Sequence, residues 1–599
     1  MQKQPKTELL RHSLSHVLAA AVFEMFPDAR FGIGPAIENG FYYDFDLPRT
    51  LIPEDLAILE EKMQSIIKAN FKFEKANLPI AEALEDFKKA AQPLKVELIK
   101  DIAKEESSRA SAKGGSASGG KTVSIYRTGN FVDLCAGPHI DSTGEISPKA
   151  FKLTKISGAY WKGDEKNKML QRIYGVAFAT DKELRQYLAM MAEAEKRDHR
   201  KLGKDLKLFM ISDEVGKGLP LWLPNGAYIR KKLEDYMYEL EKQNGYDFVY
   251  TPVLAHENLY KKSGHLAHYK DDMYNPIDIE GERYYLKPMN CPHHHIMFRN
   301  DSKSYRDLPV RYSDFSLLHR FERSGVLTGL IRARCFSQND SHIYCSHEQS
   351  QSELEKVLSL FKKVYEDFNI TGYWFRLSLP DFNDKEKYGD IKNRKLWEES
   401  ARIARAALKK SGVKFEEVAG EAAFYGPKID VQIKNVHGKE DSIATVQMDF
   451  YMPERFNLEF TNEKGKKERP VIIHKAIMGS FDRFFAFLVE QTAGHFPLWL
   501  SPVQVEVIPV SEKFEKFGKE ILKKLQEKNI RVAMNKTGES LGKRIRTAQN
   551  QKVNYMLIIG EKEMKAKSVA VRDREKGDLG AIKVEKFLEK IQKEIEDKK

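Results

Sequence analysis

The sequence has 599 residues and a net charge of +12; 41% of its residues are hydrophobic and 31% are charged. This length predicts several domains, and the apolar share is large enough to bury sizeable cores, which excludes a largely disordered chain. No run reaches the roughly 18 apolar residues of a membrane-spanning helix, and four cysteines are too few for a disulfide scaffold. We therefore predict no membrane association and a reducing, cytoplasmic location.

Positive charge is concentrated near the C-terminus. Residues 501–599 hold 24 lysines and arginines against 16 aspartates and glutamates. A basic module on a near-neutral body is typical of contact with a polyanion such as nucleic acid, and equally of a solvated lysine-rich surface. Charge alone leaves these two interpretations open.

The first predicted elements are a helix over Leu9–Phe26, with apolar residues at helical spacing, and a short strand over Phe41–Leu47. Residues Ser107–Gly120 are rich in glycine and serine and predict a loop inside a domain. Residues 181–204 are charged and helical in pattern. Together these features predict one domain over residues 1–180 and a linker helix over residues 181–204.

A long mixed segment follows, over residues 205–498. Its well-separated strands predict an antiparallel sheet with helices. The predicted strands are Val249–Val253, Arg283–Leu286, His342–Cys345, Asp430–Ile433 and Thr445–Phe450.

The tail, residues 499–599, alternates between strands and helices and predicts a compact α/β domain. The predicted helices are Glu512–Glu527, Gly542–Gln551 and Val584–Ile595. The predicted strands are Val503–Pro509, Ile530–Met534, Tyr555–Ile559 and Ser568–Arg572.

Arginines are dense in the segment HRFERSGVLTGLIRARCFSQNDSH, residues 319–342. Guanidinium forks bind phosphate oxygens bidentately, and an aromatic ring or a guanidinium plane can stack on a purine. Four arginines among apolar residues therefore fit a triphosphate site, although a salt-bridged surface hairpin is the plainer interpretation. The four are Arg320, Arg323, Arg332 and Arg334.

Three motifs, in this order, resemble the signatures of class II aminoacyl-tRNA synthetases. They are GYDFVYTP at 245–252, Arg320-x-Glu322 followed by Phe336, and Gly479-x-x-x-Arg483-Phe484. The resemblance implies a homodimer joined through the first motif, and a site for ATP with Mg²⁺. In that site Arg320 would contact the α-phosphate, and Phe336 and Arg483 would enclose adenine. The residues that the resemblance assigns to ATP and catalysis are Arg320, Glu322, Arg332, Phe336, Gln338, Gln447, Ser480 and Arg483.

The segments KPMNCP, QNDSHIYC, GEAAFYGPKID and HKAIMGSFDRF resemble threonyl-tRNA synthetases, and this resemblance extends through nearly the whole chain. It implies one Zn²⁺ on Cys291, His342 and His474, with coordination left open for substrate. On spacing alone, a buried thiol and core imidazoles are the commoner interpretation. The resemblance also implies His294 as a supporting residue. It assigns the threonine pocket to Met289, Asp340, Tyr425, Lys428 and Gln447.

The implied reaction is the activation of threonine with ATP and its transfer to tRNA(Thr). Threonine and valine are nearly isosteric, and zinc that ligates both the amine and the hydroxyl would separate them. Serine lacks only a methyl group, which supplies about 1–3 kcal/mol of discrimination, so a second, hydrolytic site is expected.

Residues 1–180 resemble the editing domain of this family through RHSLSH and VDLCAGPH. The resemblance assigns hydrolysis of seryl-tRNA(Thr) to His12, His16, Asp133, Cys135 and His139. Two alternatives stay open. The histidines and the cysteine would also suit a second zinc site, and editing would be weak if it needs the histidine that many members carry at the position of Ala20.

The tail resembles the anticodon-binding domain of class IIa synthetases. The resemblance places five residues against the anticodon: Lys543, Arg544, Arg546, Glu563 and Arg572.

The family commonly begins with a ubiquitin-like domain, which we expect to be absent here.

The overall prediction is a multidomain α+β protein. It combines a class II synthetase antiparallel sheet core with an N-terminal α+β editing domain and a C-terminal α/β anticodon-binding domain. The alternatives are another class IIa synthetase, prolyl or glycyl, and a non-catalytic synthetase paralogue that binds RNA.

Overall fold

The computed structural model describes residues 6–112, 122–388, 394–423, 425–535 and 537–598. The chain forms two compact units, the first reaching to Met191 and the second beginning at Ala192. In the described part of the chain, no helix combines the length and apolarity needed to cross a membrane.

The first unit contains two antiparallel sheets with helices. Its helices are α1 (Lys6–Met25), α2 (Asp55–Ala69), α3 (Ile80–Lys89), α4 (Pro93–Ala112) and α5 (Asp181–Arg197), the last of which continues into the second unit. Its strands are β1 (Arg30–Phe31), β2 (Ala36–Ile37), β3 (Gly40–Asp46), β4 (Phe73–Pro79), β5 (Thr122–Thr128), β6 (Phe131–Leu134), β7 (Phe151–Tyr160) and β8 (Met169–Ala177). One sheet has the order β1-β3-β8-β7 with β2 paired to β3, and the other has the order β4-β5-β6.

The main core of this unit forms between helix α1 and strand β3. Phe41, Tyr43 and Phe45 are fully buried, because alternate residues of a strand point to the same face. Leu14 and Leu18 lie four residues apart on α1 and belong to the same core. The hydrophobic effect therefore holds this helix against the sheet.

The predicted loop 107–120 begins too early. Helix α4 continues to Ala112, and residues 113–120 lie outside the described residues. Serine and alanine are compatible with a helix interior, and the change in composition toward glycine comes only after Ala112.

The second unit begins with a mixed segment built on one large sheet. Its helices are α6 (His199–Asp205), α7 (Pro224–Gln243), α8 (Glu257–Ser263), α9 (His265–His268), α10 (Cys291–Asn300), α11 (His347–Asp367), α12 (Lys385–Tyr388), α13 (Arg394–Ser411), α14 (Met452–Phe456) and α15 (Phe481–Thr492). Its strands are β9 (Phe209–Met210), β10 (Leu221–Trp222), β11 (Asp247–Phe248), β12 (Leu254–His256), β13 (Ile277–Ile279), β14 (Glu282–Leu286), β15 (Lys303–Ser304), β16 (Val310–Asp314), β17 (Leu317–His319), β18 (Cys335–Ser337), β19 (Asp340–Cys345), β20 (Trp374–Leu379), β21 (Phe415–Ala419), β22 (Lys428–Lys434), β23 (Glu440–Asp449), β24 (Phe460–Thr461), β25 (Lys467–Glu468) and β26 (Val471–Ala476).

The large sheet has eight strands in the order β11-β16-β19-β26-β23-β22-β20-β21. The six inner strands pair antiparallel, and the two edge strands pair parallel with their neighbours. The predicted antiparallel core is thus confirmed. The predicted strand Val249–Val253 is wrong, because that stretch connects β11 to β12, and Pro252 has no N–H to donate to a ladder.

The register of this sheet places four polar side chains in one row. His342 on β19 faces His474 on β26, His474 faces Gln447 on β23, and Gln447 faces Lys428 on β22. Directly paired residues of antiparallel strands stand on the same face of a sheet. A slip of one residue in any of these strands would turn its side chain to the other face.

The C-terminal module forms a five-stranded sheet in the order β28-β27-β29-β30-β31. Its helices are α16 (Glu515–Glu527), α17 (Leu541–Asn550), α18 (Glu561–Ala566) and α19 (Val584–Glu596). Its strands are β27 (Val505–Pro509), β28 (Val532–Met534), β29 (Tyr555–Ile559), β30 (Ser568–Asp573) and β31 (Gly577–Lys583). The α/β prediction is confirmed. Sequence analysis missed α18, which is short and polar, and β31, which contains two glycines.

A buried ion pair ties helix α7 to the large sheet. Glu241 accepts hydrogen bonds from Lys475 Nζ at 2.5 Å and from Asn339 Nδ2 at 2.8 Å, and its other oxygen accepts one from Ser313 Oγ at 2.6 Å. Burial lowers the pKa of Lys475, and the Glu241 carboxylate opposes that lowering. Since Lys475 directly follows His474, the pair also fixes the strand that carries this histidine.

We expect Glu241→Gln to destabilise the second unit by about 3–5 kcal/mol, because the Lys475 ammonium would stay buried without its carboxylate. Denaturant unfolding followed by tryptophan fluorescence measures this change. Glu239→Gln, at an exposed position of the same helix, is the matched control and should cost less than about 0.5 kcal/mol. Equal unfolding midpoints for the two variants would contradict this role of the ion pair.

Candidate functional site

One thiol and two imidazoles converge at the centre of the large sheet. Cys291 is the first residue of helix α10, whereas His342 and His474 face each other on neighbouring strands. One ligand atom from each of the three residues lies within 4.8 Å of the others. The structure therefore brings together the three residues that the sequence singled out as a metal site.

Hydrogen bonds leave one nitrogen of each histidine facing the others. His342 Nδ1 lies 2.8 Å from His294 Nδ1, so that His342 Nε2 is buried without a hydrogen-bond partner. His474 uses Nε2, which lies 3.0 Å from an Asp449 carboxylate oxygen. A metal-binding imidazole ordinarily has its second nitrogen held in this way, because the bond fixes the tautomer and the ring orientation.

The partner of His342 is itself supported by a buried carboxylate. His294 Nε2 lies 3.7 Å from Asp314 Oδ2. Burial acts to raise the pKa of Asp314, but the nearby His294 and hydrogen bonds from Ser316 and Thr251 hold it at about 2. An ionised Asp314 favours a proton on His294 Nε2, which leaves His294 Nδ1 to accept from His342 Nδ1–H. His342 Nε2 then carries a free lone pair.

The cluster is strongly desolvated. Burial, then the neighbouring His474 and His294, lowers the pKa of His342 well below its ordinary value. Burial, then the Asp340 carboxylate, raises the pKa of Cys291 well above its ordinary value. Asp340 is itself buried, with Oδ1 4.0 Å from His342 Nδ1. Such a site favours a neutral His342 imidazole and is stabilised by a bound cation.

A cavity of about 470 Å³ lies in the second unit and is lined by residues of the arginine-rich segment and of helix α15. Every residue that the sequence assigned to ATP, catalysis or the amino acid lines it, except Asp340 at the Cys–His cluster. These residues are Met289, Arg320, Glu322, Arg332, Phe336, Gln338, Tyr425, Lys428, Gln447, Ser480 and Arg483.

Two of the cavity's guanidinium groups donate to backbone carbonyls. Arg320 Nε donates to Pro288 O at 3.4 Å, and Arg483 Nε donates to Ile331 O at 3.1 Å. The Arg320 guanidinium lies 5.2 Å from the centre of the Phe336 ring. By contrast, Arg332 is paired with the Glu322 carboxylate at 2.8 Å. The first two arginines therefore present positive charge that an anion could neutralise.

Sequence analysis missed other residues of the cavity wall, among them Tyr269, Asp430 and Thr445. Asp430 lies two residues after Lys428 and faces Thr445, which lies two residues before Gln447. The alternation of strand side chains was thus a signal for both residues. Tyr269 follows a short helix, and no sequence pattern marked it.

A second cluster lies in the first unit. His12 and His16 share one face of α1, while Cys135 and His139 follow strand β6. Cys135 Sγ lies 3.4 Å from His12 Nε2 and 3.4 Å from His139 Nε2. Burial raises the pKa of Cys135 to about 11. Burial, then His16 and His12, lowers the pKa of His139 to about 2. The side chains are therefore neutral near pH 7.

Asp133 lies behind this cluster and orients it. Its carboxylate accepts a hydrogen bond from Tyr43 at 2.6 Å, lies 3.3 Å from His16 Nδ1 and pairs with the Lys95 ammonium. Lys95 is only 2% exposed. Sequence analysis missed Lys95, because a lysine on an amphipathic helix is ordinarily solvated. Ala20, by contrast, lies in the apolar core of the unit.

An open pocket of about 550 Å³ reaches this second cluster at His139. It is lined by polar and charged residues from β4 and from the segment around Asp141. Lys72 and Lys75 lie on this wall. Glu74 and Asp141 share this wall, so that the pocket can take a polar group next to His139.

The five residues placed against the anticodon have different environments. Lys543 and Arg546 are exposed on α17, and Arg572 is half-buried on β30. Glu563 accepts a hydrogen bond from Gly560 N at 2.9 Å, which caps helix α18. Arg544 is only 2% exposed and donates to the carbonyls of Pro509 and Val510 at 2.6 and 3.2 Å. Arg544 thus joins helix α17 to the end of strand β27.

Three family models match segments of the chain. Residues 274–492 match "tRNA synthetase class II core domain (G, H, P, S and T)", and residues 504–594 match "Anticodon binding domain". Residues 123–174 match "Threonyl and Alanyl tRNA synthetase second additional domain".

Curated relatives match nearly the whole chain. A threonine–tRNA ligase of Geobacillus sp. (strain WCH70) is 45% identical over 589 residues, which is 98% of this chain and 88% of that relative. One of Streptococcus pneumoniae (strain Hungary19A-6) is 47% identical over 593 residues, with coverage of 98% and 89%. The chain belongs to the threonine–tRNA ligase family.

Solved structures agree with this membership. A structure described as the RNA binding domain of threonyl-tRNA synthetase from Cryptosporidium parvum Iowa II has a TM-score of 0.61 at 36% identity, covering 66% of this chain and 98% of that one. A prolyl-tRNA synthetase from the same organism has a TM-score of 0.52 at 18% identity, covering 67% and 75%, and shares the fold.

We expect iodoacetamide at pH 8 to label Cys135 about a hundredfold more slowly in the folded protein than in urea, because only the thiolate reacts and its pKa is about 11. Mass spectrometry of the peptide that contains Cys135 measures the rate. The rate should rise steadily with pH up to pH 10. Saturation near pH 8 would show that burial does not control this thiol.

Proposed function

We propose that this chain activates threonine with ATP to threonyl-adenylate and transfers the threonyl group to tRNA(Thr). The observation that carries this proposal is the convergence of Cys291, His342 and His474 in a unit whose cavity is lined by Arg320 and Arg483. A metal ion at the cluster could hold an amino acid, and the arginines of the cavity could hold the phosphates of the nucleotide with which that amino acid reacts.

The donor set fits Zn²⁺, which takes thiolate and imidazole ligands in tetrahedral sites. His342 Nε2, buried without a partner, is the atom expected of such a ligand. Bound zinc would supply a Lewis-acid centre for the threonine amine and hydroxyl, and valine lacks the hydroxyl. Asp340 would hold the amine, while His294 and Asp449 keep the ligand rings in place.

In the cavity, Arg320 would bind the α-phosphate, and the Phe336 ring and the Arg483 guanidinium would enclose adenine. Attack of the threonine carboxylate on the α-phosphorus would form the adenylate as the α–β phosphoanhydride bond breaks and pyrophosphate leaves. The guanidinium groups, with Mg²⁺ bound to ATP, would stabilise the negative charge on the phosphoryl oxygens. Glu322, Arg332, Gln338 and Ser480 complete the nucleotide site. Met289, Tyr425, Lys428 and Gln447 would contact the amino acid, and Gln447 lies next to His474 in the sheet.

We expect Cys291→Ala to lose stoichiometric zinc and at least a hundredfold of threonine-dependent ATP–pyrophosphate exchange, because one of three protein ligands is gone. Metal analysis and the exchange rate measure both. Cys345→Ala, a buried thiol at the end of the same strand as His342, is the matched control and should retain zinc. Full zinc and activity in the Cys291 variant would overturn the metal assignment.

Exchange measured with threonine, serine, valine, proline and glycine also separates the alternatives. Exchange that depends on proline or glycine would indicate another class IIa synthetase. The absence of exchange with every amino acid would indicate a non-catalytic RNA-binding paralogue. The likeness of nearly the whole chain to threonine–tRNA ligases supports threonine.

The first unit is proposed to hydrolyse seryl-tRNA(Thr). His12, His16, Cys135 and His139 lie together, His139 also lines an open pocket, and Asp133 orients His16. The neutral imidazoles can accept hydrogen bonds from a water and orient it, and the protonated Cys135 thiol can donate a hydrogen bond.

We expect wild type to deacylate seryl-tRNA(Thr) and Cys135→Ala to lose about tenfold or more of that rate, with threonine activation unchanged. Radiolabelled deacylation measures it, and Cys335→Ala is the control for loss of a thiol elsewhere. No hydrolysis by wild type would refute editing. Two zinc ions per chain would instead favour a second metal site.

The division into residues 1–180, 181–204, 205–498 and 499–599 is proposed to separate editing, linker, catalytic and anticodon-binding parts. Lys543, Arg546 and Arg572 are proposed to contact the anticodon. Glu563 is proposed to contact it too, in addition to capping helix α18, whereas the buried Arg544 supports the helix that carries Lys543 and Arg546.

We propose a cytoplasmic homodimer. The segment of the first motif supports a dimer, since Tyr250 is 92% exposed beside Val253 and Leu254.

A further inference from the structure

His199 links three separate parts of the second unit. It is the first residue of helix α6 and is 1% exposed. Its Nδ1 lies 2.7 Å from Glu490 Oε1, and its Nε2 accepts a hydrogen bond from Leu330 N at 3.2 Å. Because Nε2 accepts from an N–H, the ring proton must sit on Nδ1 and point to the carboxylate. The imidazole thus connects helix α15 to the turn that contains Leu330.

That turn forms part of the cavity wall. Thr328 and Arg332 exchange backbone hydrogen bonds at 3.1 and 3.3 Å, which closes the turn. The three residues Leu330, Ile331 and Arg332 line the cavity. The backbone of this turn therefore sets one boundary of the proposed nucleotide site.

Helix α15 holds the turn at two successive residues, Leu330 and Ile331. Arg483 donates to the carbonyl of Ile331 directly, whereas Glu490 acts on the N–H of Leu330 through His199. Arg483 and Glu490 are seven residues apart, which is about two helical turns, so they lie on one face of the helix. One helix therefore positions both the guanidinium in the cavity and the backbone beside it.

The close approach of His199 also explains a glycine in the turn. Gly329 has a φ of +50°, and a Cβ at this position would lie 2.2 Å from His199 Nε2. Any other side chain would displace the imidazole from Leu330.

Asp198, His199 and Glu490 lie close enough together to hold a metal ion. Their bonds indicate another role, since both nitrogens of the His199 ring are engaged. The Asp198 carboxylate accepts hydrogen bonds from the Arg200 guanidinium and from its backbone N–H. These three residues therefore form a hydrogen-bonded support for the turn.

We propose that His199 is a positioning residue for nucleotide binding, acting through the Thr328–Arg332 turn, an inference that rests on the proposed ATP site. Its acceptor Nε2 fixes the Leu330 N–H, and Glu490 fixes the tautomer that makes Nε2 an acceptor. Loss of the acceptor releases the turn next to Arg332 and Arg483, and ATP binding weakens.

Two substitutions test the contributions of the two His199 nitrogens separately. In His199→Asn, the amide replaces Nδ1 and retains the contact to Glu490, but Leu330 N–H loses its acceptor. In His199→Gln, the amide oxygen replaces Nε2 and retains the contact to Leu330, but the bond to Glu490 is lost. His347→Asn, at the exposed first residue of helix α11, is the matched control.

The test is binding of the non-hydrolysable analogue α,β-methylene-ATP with Mg²⁺ to the full chain, measured by calorimetry. His199→Asn should weaken binding about tenfold, as expected for a buried N–H left without a partner. His199→Gln and His347→Asn should stay within about threefold of wild type. Thermal unfolding and zinc content are recorded for each variant.

The nucleotide readout distinguishes this role from a general effect on folding. A purely structural role would weaken binding in proportion to the loss of thermal stability, so that His199→Gln would be affected as much as His199→Asn. That result, or unchanged binding in folded His199→Asn, would overturn the inference. Failure of the proposed function would instead appear in wild type, as binding of the analogue without threonine-dependent exchange.

Discussion

The register of the large antiparallel sheet is the constraint on which the candidate site depends. It sets His342 against His474, His474 against Gln447 and Gln447 against Lys428, so that residues far apart along the chain share one row on one face. Period-two alternation makes this arrangement sensitive to a slip of one residue. The buried Glu241–Lys475 pair holds the strand that carries His474, through the residue next to that histidine.

Burial keeps side chains neutral in both clusters, but the consequences for their chemistry differ. Around Cys291, desolvation keeps the His342 imidazole neutral and leaves its Nε2 lone pair without a hydrogen-bond partner, which suits a cation. Around Cys135, the same desolvation keeps the thiol protonated and the imidazoles neutral, while the charge of Asp133 is balanced by Lys95. The first arrangement suits ligation, and the second suits proton transfer to a bound polar group.

The cavity combines positively charged recognition groups with hydrogen-bonded supports. Guanidinium groups that donate to backbone carbonyls remain available to a phosphate, since a carbonyl does not neutralise their charge. Helix α15 provides both Arg483 and, through Glu490 and His199, the support of the facing turn. If this cavity binds the nucleotide as proposed, the site is preorganised, because little of the wall must be ordered when the ligand binds.

Much of this protein could be predicted from sequence, namely the fold class, the Cys–His–His set and the cavity residues, because motifs such as HKAIMGSFDRF carry a recognisable family pattern and strands carry a local alternation. Tertiary structure decided what depends on neighbours remote along the chain. Arg544 and Lys95 look like solvated charges in sequence, yet both are buried, and His199 carries no local signal of its contact with Leu330. The physical reason is that burial and hydrogen-bond partners arise from packing between distant segments, whereas composition and periodicity report only on residues within a few turns of each other.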